Sequence, residues 1–144
     1  MEAHRIRDSE VNSPLMVIMD ANFLMMPVQF NVDLFGELAR LLPVKHELVV
    51  PEGVIHELKV LSEKGGLKEK RAAKVALEIA GGMRVVSLKG ADTDEAMLSM
   101  AGKNTVICTN DRKLRIKVIK KGGMVIFLKQ KKILEIEGGR FGVS

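Results

Sequence analysis

The sequence predicts a three-layer α/β/α sandwich on a central parallel sheet of about five strands. Short apolar runs alternate with longer stretches of helical spacing almost throughout the 144 residues, the order that repeated βα units produce. The runs, Leu15–Met19 above all, are continuously apolar rather than alternating, as expected of strands covered on both faces. A third pattern concerns what such a sheet displays at its carboxyl edge. Four acidic residues follow, or lie just past, different strand-like runs: Asp20 in MVIMDAN, Glu57 in LVVPEGVIHEL, Asp94 in ADTDEAML and Asp111 in TVICTNDRKL.

Residues 1–14 read as a flexible arm, and residues 15–144 as one domain. After the first strand, residues 33–42 read as a helix that Asp33 caps, with Leu34, Leu38, Leu41 and Leu42 on one side and Pro43 past its end. Residues 48–50 are a short strand. Pro51 suits the first position of a helix that runs to about residue 61 and buries Val54, Leu58 and Leu61. Residues 62–66 read as a loop punctuated by Gly65 and Gly66, and Leu67–Ala80 as a helix closed by Gly81 and Gly82. A strand lies within residues 83–88 and a loop spans 89–93. A helix from about 93 to 101 carries acids in its first turn, where the helix dipole favours them. Thr105–Cys108 is a buried strand, residues 111–121 a helix ending at Gly122 and Gly123, and residues 124–128 a last strand. In the tail, residues 133–136 have the apolar content for a further short strand. The alternation does not specify strand order.

Composition narrows the function. One cysteine, Cys108, excludes an intrachain disulfide and a cysteine-built zinc site, and fits a reducing cytoplasm. The beginning, MEAHRIRDSEVNS, has no apolar h-region, so no signal peptide is expected. No apolar run reaches the roughly 18 residues of a membrane span. The net charge of +5 permits nucleic acid as a partner without requiring it. There is no Trp or Tyr and there are only five Phe, which argues against a module that reads single strands mainly by base stacking.

Each acid alone has a plain structural reading: Asp111 and Asp92 or Asp94 as helix caps, Glu57 as a solvated helix residue beside Lys59. Together they read otherwise. Ligands of open α/β sheets bind at the carboxyl ends of the strands. Four carboxylates gathered there repel one another unless a counter-charge lies between them, and the hard cations Mg²⁺ and Mn²⁺ suit an all-oxygen site. Asn22 is placed to hold Asp20 by a hydrogen bond, and Thr109 and Asn110 to offer neutral oxygens to a ligand or water.

The segments VIMDANFLMMP, VVPEGVIHELK, GADTDEAMLSMA and VICTNDRKLR, in this order, resemble a PIN-domain ribonuclease. The resemblance spans residues 15–134. Its subtype is similar to small archaeal PIN proteins, which resemble the PIN nucleases that process small-subunit ribosomal RNA precursors; the TNDRKLR…GGMVIFLKQKK stretch carries that likeness. VapC-type toxins share the core. The resemblance implies Asp20, Glu57, Asp94 and Asp111 as the catalytic and metal-holding acids for one or two Mg²⁺ or Mn²⁺ ions. Asp94 is preferred to Asp92 because Glu95-Ala96-Met97 then continues the family pattern; Asp92 stands as runner-up. The implied reaction is endonucleolytic hydrolysis of RNA, leaving 5′-phosphate and 3′-hydroxyl ends. The implied partners are RNA, a second copy in a homodimer, and an antitoxin or a ribosome-biogenesis protein.

The stretch 112–132 holds nine basic residues and no acidic one, which suits a phosphate backbone approaching Asp111. Arg112, Lys113 and Arg115 are favoured by position. A second basic group, Lys64, Lys68, Lys70, Arg71 and Lys74, flanks the substrate or decorates a surface helix. His4, His46 and His56 show no metal-ligand spacing, Cys108 reads as core, and no phosphate loop occurs. The competing readings are a non-catalytic RNA-binding or scaffold module of the same fold and, last, another α/β phosphate enzyme. A dehalogenase-type site needs D-x-D where this chain has Asp20-Ala21-Asn22.

Overall fold

The computed structural model describes residues 13–87 and 92–139. Residues 1–12 of the expected 1–14 arm, most of the 89–93 loop and the last five residues lie outside the described residues. The chain begins with β1 (Leu15–Met19), followed by two short helices, α1 (Ala21–Leu24) and α2 (Met26–Phe30), and by α3 (Leu34–Leu41). Then come β2 (His46–Pro51), α4 (Glu52–Lys64), α5 (Leu67–Ala80), β3 (Arg84–Val86) and α6 (Thr93–Met100). The chain closes with β4 (Thr105–Cys108), α7 (Arg112–Lys120), β5 (Met124–Lys129) and β6 (Ile133–Gly138).

The six strands form one sheet in the order β3-β2-β1-β4-β5-β6, parallel except for β6, which pairs antiparallel with β5. The expected five-stranded parallel sheet is present with one strand added at its edge. The addition is a hairpin: Lys132 N–H donates to Lys129 C=O at 3.1 Å, and a three-residue connection can join only antiparallel strands. Val17, Ile18 and Met19 are all fully buried, and successive strand residues point to opposite faces, so helices cover both sides of β1. One group of helices packs α4 on α5 with α1 and α2 against them; α6 packs on α7, α7 lies on β5, and α3 lies against β6.

The boundaries shift where a local signal competed with packing. Pro51 ends β2 and caps α4 from outside, its φ of −66° and ψ of 145° being extended. Helix α4 continues through the expected loop to Lys64, because Leu61 keeps packing against the core and Gly65 only then breaks the pattern. The stretch 21–30 folds into two helices that periodicity did not announce, since an apolar run buried nearly all round has no polar face to reveal its period: Phe23, Leu24 and Met26 are fully buried. Asp33 caps α3 as expected, accepting from Gly36 N–H at 3.1 Å.

The strand order matters for function. Chain order reverses between β1 and β4, which lie side by side with Met19 opposite Cys108. A crevice opens outside the carboxyl ends of the strands at such a reversal, and ligands of open α/β sheets bind there. Asp20 follows β1 directly, and Thr109, Asn110 and Asp111 follow β4.

Candidate active site

Asp20 is the innermost acid. As N-cap of α1 it accepts from Ala21 N–H at 2.8 Å through Oδ1, and its Oδ2 accepts the Thr109 hydroxyl at 2.6 Å. Asp20 is buried and Thr109 completely so. The same Thr109 oxygen accepts from Asp111 N–H at 3.1 Å, so one threonine links the first and fourth acids across the crevice. Asp111 in turn caps α7, accepting from Lys113 N–H at 2.9 Å.

The supporting residues exchange the parts expected of them. Asn22 Oδ1 accepts from Asn110 N–H at 3.1 Å rather than holding Asp20. Asn110 Oδ1 accepts from Leu128 N–H at 2.8 Å rather than facing a ligand. Thr109 takes the role given to Asn22. The reason is register: β4 runs beside β1, which sets Thr109 next to Asp20, while Asn22 sits in the first turn of α1 beside the β4 loop. The asparagines thus tie the first turn of α1 to the loop after β4, and that loop to strand β5.

Glu57 and Asp94 come from helices at the same edge. Glu57 lies on α4, which leaves β2, the neighbour of β1. Asp94 lies in the first turn of α6. A side chain on Gly53 would bring its Cβ within 2.5 Å of Thr93 Oγ1, so the starts of α4 and α6 approach closely because residue 53 is glycine. Asp92 is occupied as the cap of α6, accepting from Glu95 N–H at 2.8 Å. A cavity of about 170 Å³ is lined by Asp92, Asp94, Glu95, Asp111, Lys113 and Lys117 together with two leucines.

The acids feel one another. Burial raises the Asp20 carboxyl above the usual range; the bonds from Thr109 and Ala21 oppose this, and the charges of Asp94 and Asp111 add to it. Burial raises Glu57, helped by the charges of Asp20 and Asp94. Burial raises Asp94, with Asp111 and Asp92 adding and Lys117 opposing. Cys108, fully buried behind the edge, has its thiol pushed well up by desolvation and by Asp20, which keeps it an inert core group.

As the side chains stand, no three His, Cys, Asp or Glu among the described residues are gathered tightly enough to hold one ion. The donor set nevertheless fits a hard divalent cation: its charged members are all carboxylates, they repel one another, and the sulfur nearby is inert. Asp20 is held rigid, whereas Glu57 and Asp94 are only partly shielded from solvent and have no hydrogen bond to another described side chain, so both have freedom to turn inward.

The favoured basic trio is divided by the geometry of α7. Lys113 shares the acidic cavity; Arg112 and Arg115 lie round the helix at a second cavity of about 230 Å³ with Glu137 and Lys120. The Arg115 guanidinium stacks 4.1 Å above the centre of the Phe127 ring. Lys117, which position along the chain did not single out, joins Lys113 beside the acids. Its signal is the spacing of four, which puts the two lysines on one helix face.

Carboxylates assembled at the reversal point of a mostly parallel sheet define a class, and the chain belongs to the PIN-like domain family, whose model matches residues 17–131. Within it the chain is similar to Ribonuclease VapC4 of Methanocaldococcus jannaschii, 31% identical over 126 residues that cover 85% of this chain and 96% of that one. It is also similar to the solved PIN domain endonuclease Utp24, with a TM-score of 0.67 at 28% identity over 87% of this chain and 92% of that chain. A domain of a functionally unknown protein from Methanocaldococcus jannaschii shares the fold alone: TM-score 0.51, 18% identity, 79% of this chain and 91% of that one. No helix among the described residues is long and apolar enough to cross a membrane.

Proposed function

We propose that the protein is a metal-dependent endoribonuclease that hydrolyses RNA phosphodiester bonds at the β1/β4 crevice. One observation carries the reading: buried Asp20 is tied through Thr109 to the loop of Asp111 and lies within electrostatic reach of Glu57 and Asp94. The relatives named ribonuclease and endonuclease support it.

Asp20, Glu57, Asp94 and Asp111 would hold the ion or ions. A bound Mg²⁺ or Mn²⁺ supplies Lewis acidity toward water and toward the departing oxygen of the phosphodiester. Thr109 fixes the Asp20 carboxylate so that one donor is preorganised. Lys113 and Lys117 sit beside Asp94 and Asp111, where they offset the negative charge that an approaching phosphate meets. Arg112 and Arg115 extend a positive surface round α7 for the strand beyond.

The setting is RNA processing or a toxin of the VapC type, in the cytoplasm, with an antitoxin or a ribosome-biogenesis protein as partner and a homodimer as the assembly. The test is cleavage of labelled single-stranded and structured RNA with Mn²⁺, Mg²⁺ or EDTA by wild type and by folded Asp20→Asn and Asp94→Asn. Metal-dependent cleavage lost in both variants is the expected result. RNA binding without cleavage by wild type would favour a scaffold module instead, and cleavage that persists in both variants would place the chemistry elsewhere.

A further inference from the structure

Two basic groups that lie far apart in the chain both border one exposed aromatic ring. The β5–β6 turn places Lys131 Nζ 5.8 Å from the centre of the Phe30 ring. Phe30 closes α2 and is 37% exposed, whereas Phe23 on α1 is fully buried. Phe30 also borders a cavity of about 590 Å³ that is lined as well by the first turns of α5, with Lys68, Arg71 and the single carboxylate Glu69. An open, positively charged trough with an aromatic platform has the chemistry of single-stranded nucleic acid: a π face for a base, cations for the phosphates on either side.

The turn itself adds a second, independent observation. Gln130 and Lys131 have φ of 53° and 59°, a left-handed pair that tight hairpins normally fill with Asn-Gly. Two long side chains are held there against their backbone preference. The arrangement fixes Lys131 at the tip of a stiff hairpin, while Lys129 below it is paired with Glu135 at 3.0 Å. Lys132, beside the tip, has no ion-pair partner among the described residues.

We propose that Phe30, Lys131, Lys68 and Arg71 form an exosite for single-stranded RNA, separate from the acids. It rests on the ribonuclease reading and deepens it. Asp20 caps α1 and Phe30 ends α2, ten residues on, so roughly 15 Å of helix separates their backbones. One strand bound here continues into the acidic edge, and the exosite then favours substrates with unpaired nucleotides on one side of the cleaved bond.

The experiment measures binding of a fluorescent single-stranded RNA in EDTA, on an Asp20→Asn background, by anisotropy at several salt concentrations. Lys131→Gly relieves the turn and removes the charge, so the melting temperature should rise while affinity falls and the salt slope shrinks by about 0.7. Phe30→Leu should weaken binding at least about fivefold. A Lys68→Met/Arg71→Met double variant should weaken it as well, and duplex RNA should lose far less than the single strand in all three. Unchanged affinity in all three variants, with binding lost in Lys113→Met/Lys117→Met, would overturn the exosite and leave the nuclease reading intact. A shift in oligomeric state with Phe30→Leu at unchanged affinity would overturn it too, and mark the trough as a protein interface. Absence of RNA binding by the parent protein would instead remove the reading on which the exosite rests.

Discussion

The hydroxyl of Thr109 donates to Asp20 and accepts from the N–H of Asp111, and both bonds lie within the protein. Thr109→Val keeps the shape and removes both partners. The expected loss is about 1–3 kcal/mol in urea unfolding, because a buried carboxylate and an amide lose their bonds. The Thr109 bond also holds Asp20 down, so its loss should move the acid limb of the activity profile to higher pH. Asp92 and Asp94 separate in the same way. Asparagine caps helices as well as aspartate, so Asp92→Asn should keep both α6 and activity, whereas Asp94→Asn should abolish activity. Stability tests the mutual repulsion. Asp20, Glu57 and Asp94 have raised values in the folded state, so their contribution is fully present below the usual carboxylate range, near pH 4, and is lost as pH rises through those values. Thermal melts in EDTA should show Asp94→Asn melting about 1–2 °C above wild type at neutral pH, with the gap closing in acid.

Strand β6 shows how an element is finished by a residue from elsewhere. It is a sheet edge, and edges invite pairing with other chains. Glu37 and Arg40 of α3 reach across to it: Glu37 Oε1 accepts from Leu134 N–H at 2.9 Å and Arg40 donates to Leu134 C=O at 2.7 Å. They are also paired with each other at 3.0 Å. The two side chains occupy the N–H and C=O of Leu134, one donor and one acceptor that a foreign strand would use. Glu37→Ala/Arg40→Ala should therefore self-associate with rising concentration, seen by light scattering, while its circular dichroism at low concentration matches wild type. The sequence shows a helix here with charges on its outer side, and does not show that those charges guard a strand some ninety residues later.

For the whole molecule, the proposed site draws its acids from four elements at one sheet edge, and a bound ion would hold them together. Mn²⁺ at millimolar concentration should raise the melting temperature of wild type, since a ligand that binds only the folded state stabilises it. Asp20→Asn should abolish that rise, and Asp92→Asn should keep it. A rise of equal size in wild type and Asp20→Asn would show that the ion binds elsewhere.

The sequence by itself determined the alternation of strands and helices, the near-continuous burial of β1 and the continuous burial of β4, and the positions of the four acids just past strand-like runs. These are local properties: apolar runs, glycine pairs and caps act over a few residues, so they can be read in order along the chain. The packed molecule decided the rest. It set β1 beside β4, exchanged Thr109 for Asn22 as the partner of Asp20, took Asp92 as a cap, and split the basic run so that Lys113 and Lys117 face the acids while Arg115 lies on Phe127. It also brought Lys131 to Phe30, a hundred residues apart. Such pairings depend on strand order, register and the turn of a helix about its axis, which arise when distant segments bury their surfaces together, and no local pattern encodes them.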